Sequence, residues 1–404
     1  MFWEIFLFEL KYRIKRPATW AYFGILLVFG ALIAVDGGNG NGSEKAFANS
    51  AFQIAIFMAI MSIFMTMMSS AVMGVPVYRD IEHGVKDYYF SYPVNEKGYL
   101  LGRFLGSFLI LMLISLGLHL GMIIGYSIGP LVGWEEAERF GPLHLWHYIQ
   151  PTFTLLWPNL FFTGTIFFCL VALTRKVFIS YVGSVLFFIG YLLAINLARD
   201  VANKELTDIL DPFAFNTFNN ATKYWTPVEQ NDMVQPLTGN FLINRLLWVG
   251  SAILLLLFTL FRFDFVRFLD KRLGKAKKEK TNDSADTKSS VSWTLPRVLP
   301  TFSNGLFFQQ MLKQAWLEFR SIIKDVYFIA MIVGGLLFLF LDGWLGNTIY
   351  GTSSLPMTYY MIESKNETYI IFVFIIIIFY TGEVVHRDKS VGFAQIADAL
   401  GVVA

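Results

Sequence analysis

Six stretches of the chain carry no Asp, Glu, Lys or Arg: 17–35, 46–78, 104–134, 148–174, 177–198 and 246–261. An α-helix needs about 20 apolar residues to cross the hydrocarbon core of a bilayer. The pattern therefore predicts six membrane spans, the last drawing on 241–244 for length. Ahead of the first span, residues 3–16 mix Trp3, Phe6, Phe8 and Leu10 with Glu4, Glu9, Lys11, Arg13, Lys15 and Arg16. Such an amphipathic helix can lie in the headgroup plane, and Pro17 marks the turn into the span.

Between the second and third apolar runs comes one polar excursion, 77–103, VYRDIEHGVKDYYFSYPVNEKGYLLGR. Its first part reads as a short helix over about 78–91, with Arg79, His83 and Asp87 four residues apart and so able to pair on one face. Pro93 stops that helix, because it has no N–H and biases the residue before it away from helical angles. Asn95 can cap the next one, with Glu96 beside the positive end of its dipole.

The distribution of basic residues sets the orientation. With the N-terminus inside, the cytosolic segments hold 25 of the 32 lysines and arginines. The excursion is then cytosolic and 199–245 external. After the sixth span the chain turns basic and polar, FRFDFVRFLDKRLGKAKKEKTNDSADTKSS, which suits a flexible cytosolic linker over 265–305 near anionic lipid. Beyond it the pattern of the first unit, 1–264, begins again in 306–404. An amphipathic stretch at 307–324 precedes expected spans at about 326–341 and 368–382. GEVVHRDKSVG then matches GVPVYRDIEHG, so that Gly382, Arg387, Asp388 and Gly392 each lie 308 residues after Gly74, Arg79, Asp80 and Gly84. The reading is a parallel tandem repeat whose second copy is incomplete, as in a fragment of a longer protein.

Composition places the chain in the same class. Apolar residues make up 55% and charged residues 15% of it, against about one quarter charged in soluble domains. The fold class expected is all-α, a polytopic membrane helix bundle. The net charge of +2, and a lysine run with no interleaved aromatics, give no basis for nucleic-acid binding. The single cysteine, Cys169, rules out an internal disulfide and a multi-thiolate metal site. No phosphate-loop motif and no H-E-x-x-H occurs. His144 and His147 lack further ligands at metal spacing and read as interfacial anchors, while His119 in its apolar run reads as a cross-helix hydrogen-bonding residue. No charge stands in mid-span, which argues against coupling to a proton or sodium gradient.

An interfacial helix, six spans, a polar excursion between spans two and three, and the missing nucleotide motif together resemble a type-2 ATP-binding-cassette permease. The resemblance implies that the excursion carries a coupling helix that docks on a separate ATPase, which would bind ATP and Mg; this chain would need no cofactor of its own. By position it puts Arg79, Asp80, Gly84, Lys86, Asp87, Ser91 and Pro93 at that contact, with Arg387, Asp388 and Gly392 as their repeat. The external stretch with LDPF (210–213), YWTPVEQN (224–231), PLTGN (236–240) and NRLLW (244–248) is similar to permeases that in some bacteria precede a fused zinc aminopeptidase. In physical terms it reads as a folded cap that includes Asp211, Pro212, Phe213, Trp225, Asn244, Arg245 and Trp248. Asp211-Pro212 starts a turn, and the tryptophans suit a half-wet interface. The function expected is export of a hydrophobic or amphipathic cargo from the bacterial cytoplasmic membrane, the cargo itself being unreadable. The alternatives are a membrane anchor for a fused peptidase and a motility or assembly scaffold.

Overall fold

The computed structural model describes residues 2–37, 45–83, 95–198, 204–264 and 304–325, and scattered positions from 328 to 382. The chain divides into two compact units, Met1–Lys271 and Arg272–Ala404.

The first unit opens with α1 (Phe2–Ile14), and α2 (Pro17–Val35) is the first apolar helix of membrane length. Pro at N1 starts α2 where an amide would lack a partner in any case. α3 (Ala51–Glu82) and α4 (Glu96–Val132) follow. The fourth span is broken into α5 (Leu145–Pro151), one π turn (Thr152–Leu156) and α6 (Trp157–Thr174). α7 (Val177–Ala198) precedes three short helices, α8 (Lys204–Leu210), α9 (Phe215–Thr222) and α10 (Pro227–Asp232). α11 (Gly239–Arg262) closes the unit. The protein is thus an all-α polytopic membrane protein, with six apolar, membrane-length helices among the described residues. All six fall where the uncharged runs predict them.

α3 is the axis of the bundle, with 78% of its span buried against 22% for α2 at the periphery. It packs on α6, α7 and α4. Its small polar residues are satisfied within the helix, as a dry interior requires: the Ser62, Ser69 and Ser70 hydroxyls donate to the carbonyls of Ala59, Thr66 and Met67. α4 begins where Asn95 accepts from the amides of Lys97 and Gly98, the cap expected from the sequence. At 37 residues it is about 55 Å long, well beyond the hydrocarbon thickness. Glycine lets α2 lie directly against it. A Cβ at Gly117, Gly121 or Gly125 would stand 2.4, 2.1 or 2.4 Å from the carbonyl oxygens of Phe23, Leu27 and Ala31.

The π turn sits between Pro151 and Pro158, neither of which has an amide hydrogen, and there Trp157 N–H reaches back five residues to the Thr152 carbonyl. His119 ties α4 to this turn, its Nε2 lying 2.5 Å from Thr152 Oγ1 and its Nδ1 3.0 Å from the Ser115 carbonyl. That is the cross-helix role expected of it.

In the second unit the described residues include α12 (Asn304–Ile323) and a minimal antiparallel pair, Thr348–Ile349 with Thr352–Ser353. Tyr380 Oη donates to Asp325 Oδ2 at 2.9 Å. α12 falls on the second amphipathic stretch; the spans expected at 326–341 and 368–382 lie largely outside the described residues.

Candidate functional site

The root of the polar excursion is a buried ionic cluster. Glu9 on α1 is fully buried and receives three arginines. Arg13 Nε donates to it at 2.6 Å, Arg79 Nη2 from the end of α3 at 2.7 Å, and Arg103 Nη1 from α4 closes the set. Arg103 also donates to Asp80 Oδ2 at 2.6 Å, and Tyr99 Oη to the same oxygen at 2.5 Å. Aromatic faces line the guanidiniums, with Arg79 4.2 Å from the Tyr12 ring centre and Arg103 5.5 Å from that of Phe8. Burial pushes the Glu9 carboxyl up, but Arg13, Arg103 and Arg79 outweigh it and hold it down at about 2. Three helices are joined through one carboxylate. α1 accordingly turns Glu9 and Arg13 inward, while Trp3, Leu7 and Phe8 remain exposed as a membrane-surface helix requires.

The sequence expectation at this place needs adjusting. α3 runs without interruption through Glu82, so no separate helix begins near 78, and Arg79 pairs with Glu9 rather than with an i+4 neighbour. Arg79 and Asp80, placed by resemblance at an ATPase contact, are 5% and 6% exposed. Gly84, Lys86, Asp87, Ser91 and Pro93, and the repeat residues Arg387, Asp388 and Gly392, lie outside the described residues. Sequence reasoning did not single out Glu9, Arg13, Tyr99 and Arg103 as one group. The available signal was that all four stand at the ends of segments predicted to meet on one side of the bundle.

At the opposite end, six of the seven cap residues come together. The Asp211 carboxylate accepts from the amides of Phe213 (3.0 Å) and Asn216 (2.7 Å) and from Tyr191 Oη (3.0 Å), which fixes the turn between α8 and α9. Its own proton affinity is raised by burial, against those three donors and Arg245. Ala214, next in the turn, holds a left-handed φ of 55°, a conformation that a non-glycine residue keeps only where its surroundings fix it. Asn244 Nδ2, at the start of α11, reaches the carbonyls of Asp208, Ile209 and Asp211 at 2.7, 3.1 and 2.8 Å. Arg245 Nη1 donates to Asn159 Oδ1 on α6 at 2.6 Å and Nη2 to the Pro212 carbonyl at 3.3 Å. Trp248 Nε1 donates to the Ile209 carbonyl at 3.2 Å. Trp225 stands apart, packed with Phe52, Phe218 and Phe241. The arrangement braces 204–222 against α6 and α11; among the described residues it presents no nucleophile–base pair.

No three His, Cys, Asp or Glu side chains converge as a metal site would need among the described residues. His144 and His147 lie with ring centres 5.0 Å apart. No protein-family model, no curated protein and no solved structure matches the chain.

Proposed function

We propose that this chain is the membrane-spanning permease of an ATP-driven exporter in a bacterial cytoplasmic membrane, with its N-terminus in the cytosol. The carrying observation is the ionic cluster. The excursion over 84–94 leaves from residues whose charges are tied to α1 and α4 as well as to the end of α3. A push on that excursion would therefore reach three helices together rather than be absorbed in a loop. Gly84, Lys86, Asp87, Ser91 and Pro93 would meet the ATPase; Arg79 and Asp80, being buried, would pass the movement inward. Arg387, Asp388 and Gly392 would form the matching elbow of a second, repeated unit. ATP and Mg would be held by the partner, and this chain would carry no catalytic group. Closure of two ATPase subunits on ATP would then move α1 together with the second and third spans and open a path for a hydrophobic or amphipathic cargo.

The test is co-purification of ATP-hydrolysing activity with the tagged full-length chain from its native cells, for wild type and for Lys86→Ala combined with Asp87→Ala. The expected result is activity with the wild type and at least a tenfold loss with the variant, at an unchanged melting temperature. Absence of ATP hydrolysis in the wild-type preparation, or equal recovery with the variant, removes the assignment.

A further inference from the structure

A cavity of about 170 Å³ opens at the elbow between α1 and α2. Its lining falls into two chemical classes. Tyr12, Arg13, Arg16, Tyr22, Arg79 and Tyr181 contribute three guanidiniums and three phenols. The apolar wall includes Ala71, Val72 and Val75 of α3 and Ile110 and Ile114 of α4. At 1.5 Å of rise per residue, the α3 wall runs roughly 6–12 Å deeper than Arg79, and the α4 residues roughly 10–16 Å beyond Arg103. The mouth is thus cationic at the level where α1 meets the first span, and the floor is apolar and lies within the bundle.

The charge balance of the surroundings is uneven. Arg13 and Arg79 share Glu9 with Arg103, and Arg103 also holds Asp80, so three guanidiniums face two carboxylates. Arg16, exposed and stacked 4.4 Å from the Tyr12 ring centre, adds a further cation at the mouth. Glu82 is close enough to act on Tyr181, and with it counted the group still carries one positive charge in excess. No carboxylate lines the cavity itself. An excess guanidinium charge beside a partly dry cavity calls for an anion, and guanidinium and phenol donors suit the several acceptor oxygens of a phosphate. The apolar floor calls for a chain attached to that anion.

We infer that this cavity is a binding site for an anionic phospholipid of the leaflet on the N-terminal side, the phosphate held by Arg13, Arg16 and Arg79 and the start of an acyl chain laid along Val72, Val75 and Ile114. The inference rests on the cavity lining and the membrane topology, and stands whether or not the chain is driven by an ATPase. Lipid occupying the elbow would fill the gap between α1, α2 and α3 and so steady the end of α3 from which the excursion leaves.

The experiment is native mass spectrometry and thermal unfolding of the full chain, stripped of lipid in mild detergent and then supplied with phosphatidylglycerol, phosphatidylcholine or inorganic phosphate. One phosphatidylglycerol should be retained per chain and raise the melting temperature, while phosphatidylcholine and inorganic phosphate should do neither. Arg16→Gln, at an exposed position outside the Glu9 cluster, should weaken retention about tenfold, as loss of one charge-assisted contact does. Ala71→Phe, which fills the floor without changing charge, should abolish it. Retention equal to wild type in Arg16→Gln would overturn the site. So would stabilisation by inorganic phosphate alone, which would assign the cavity to a soluble anion instead. Should Ala71→Phe fail to fold, the Arg16→Gln comparison decides by itself.

Discussion

Glu9, itself fully buried, accepts Arg13, Arg79 and Arg103, and removing its charge would leave three guanidiniums with one remaining carboxylate, Asp80. Breaking a buried ionic group from one side costs about 3–5 kcal/mol, because the surviving partners stay desolvated. Glu9→Gln should therefore lower the melting temperature of the detergent-solubilised protein by several degrees. Glu4→Gln, on the exposed face of the same helix, should change stability by no more than about 0.5 kcal/mol. Equal melting of the two variants would show that the cluster contributes little. Acid provides a second reading of the same residue. The Glu9 carboxyl titrates at about 2 in the fold against 4.5 when exposed. Its contribution, about 3 kcal/mol, is fully present above pH 4.5 and is lost as the pH falls through 4.5 toward 2. An acid titration of unfolding should show that loss in the wild type and not in Glu9→Gln.

The helices themselves were largely legible in the sequence, because a membrane span is announced by its own composition: the first uncharged run, 17–35, coincides with α2. What composition could not supply was the partner of a given residue. Spacing alone pairs Arg79 with its i+4 neighbours, whereas its carboxylate lies 70 positions earlier, where only the packing of α1 brings it. The glycines of α4 pose the same problem. Gly117, Gly121 and Gly125 recur every four residues, a spacing that lets two helices approach closely in lipid, yet the spacing does not say which helix approaches. The structure gives α2, and that choice is testable. Gly121→Ala would set a methyl 2.1 Å from the Leu27 carbonyl, whereas nothing lies within 4 Å of a methyl added at Gly24. Gly121→Ala should lose about 1–3 kcal/mol through forced separation of the helices. Gly24→Ala should be neutral or gain up to about 1 kcal/mol from helix propensity. The pair is compared by thermal unfolding, and a Gly121→Ala protein as stable as wild type would mean that α2 does not lie on α4 as described.

At the scale of the whole molecule, the two ends of the bundle are built differently, and that difference depends on which end faces the cytosol. The α1 end carries an ionic cluster that joins three helices, from which an excursion extends. The other end carries a cap held by the Asp211 carboxylate and by the Asn244 amide and Arg245 guanidinium, which donate to backbone carbonyls and to Asn159; it binds helices to one another and leaves no comparable extension among the described residues. Asp211-Pro212 and the two tryptophans were enough to suggest such a cap. The convergence of Asn244 on three carbonyls was not readable, since it depends on α8 folding back over the start of α11. A mechanical coupling of the kind proposed needs the clamped end to be cytosolic, as the excess of lysine and arginine predicts. Cys169, the only native cysteine, is buried in α6, so single engineered cysteines can be labelled over a low background. Lys97→Cys and Lys223→Cys place an exposed thiol at the clamped and capped ends respectively. With a membrane-impermeant maleimide, Lys223→Cys should label in intact cells and Lys97→Cys only after the membrane is opened. The reverse pattern would put the excursion outside, beyond the reach of any cytosolic ATPase, and would remove the coupling role while leaving the helical bundle as described.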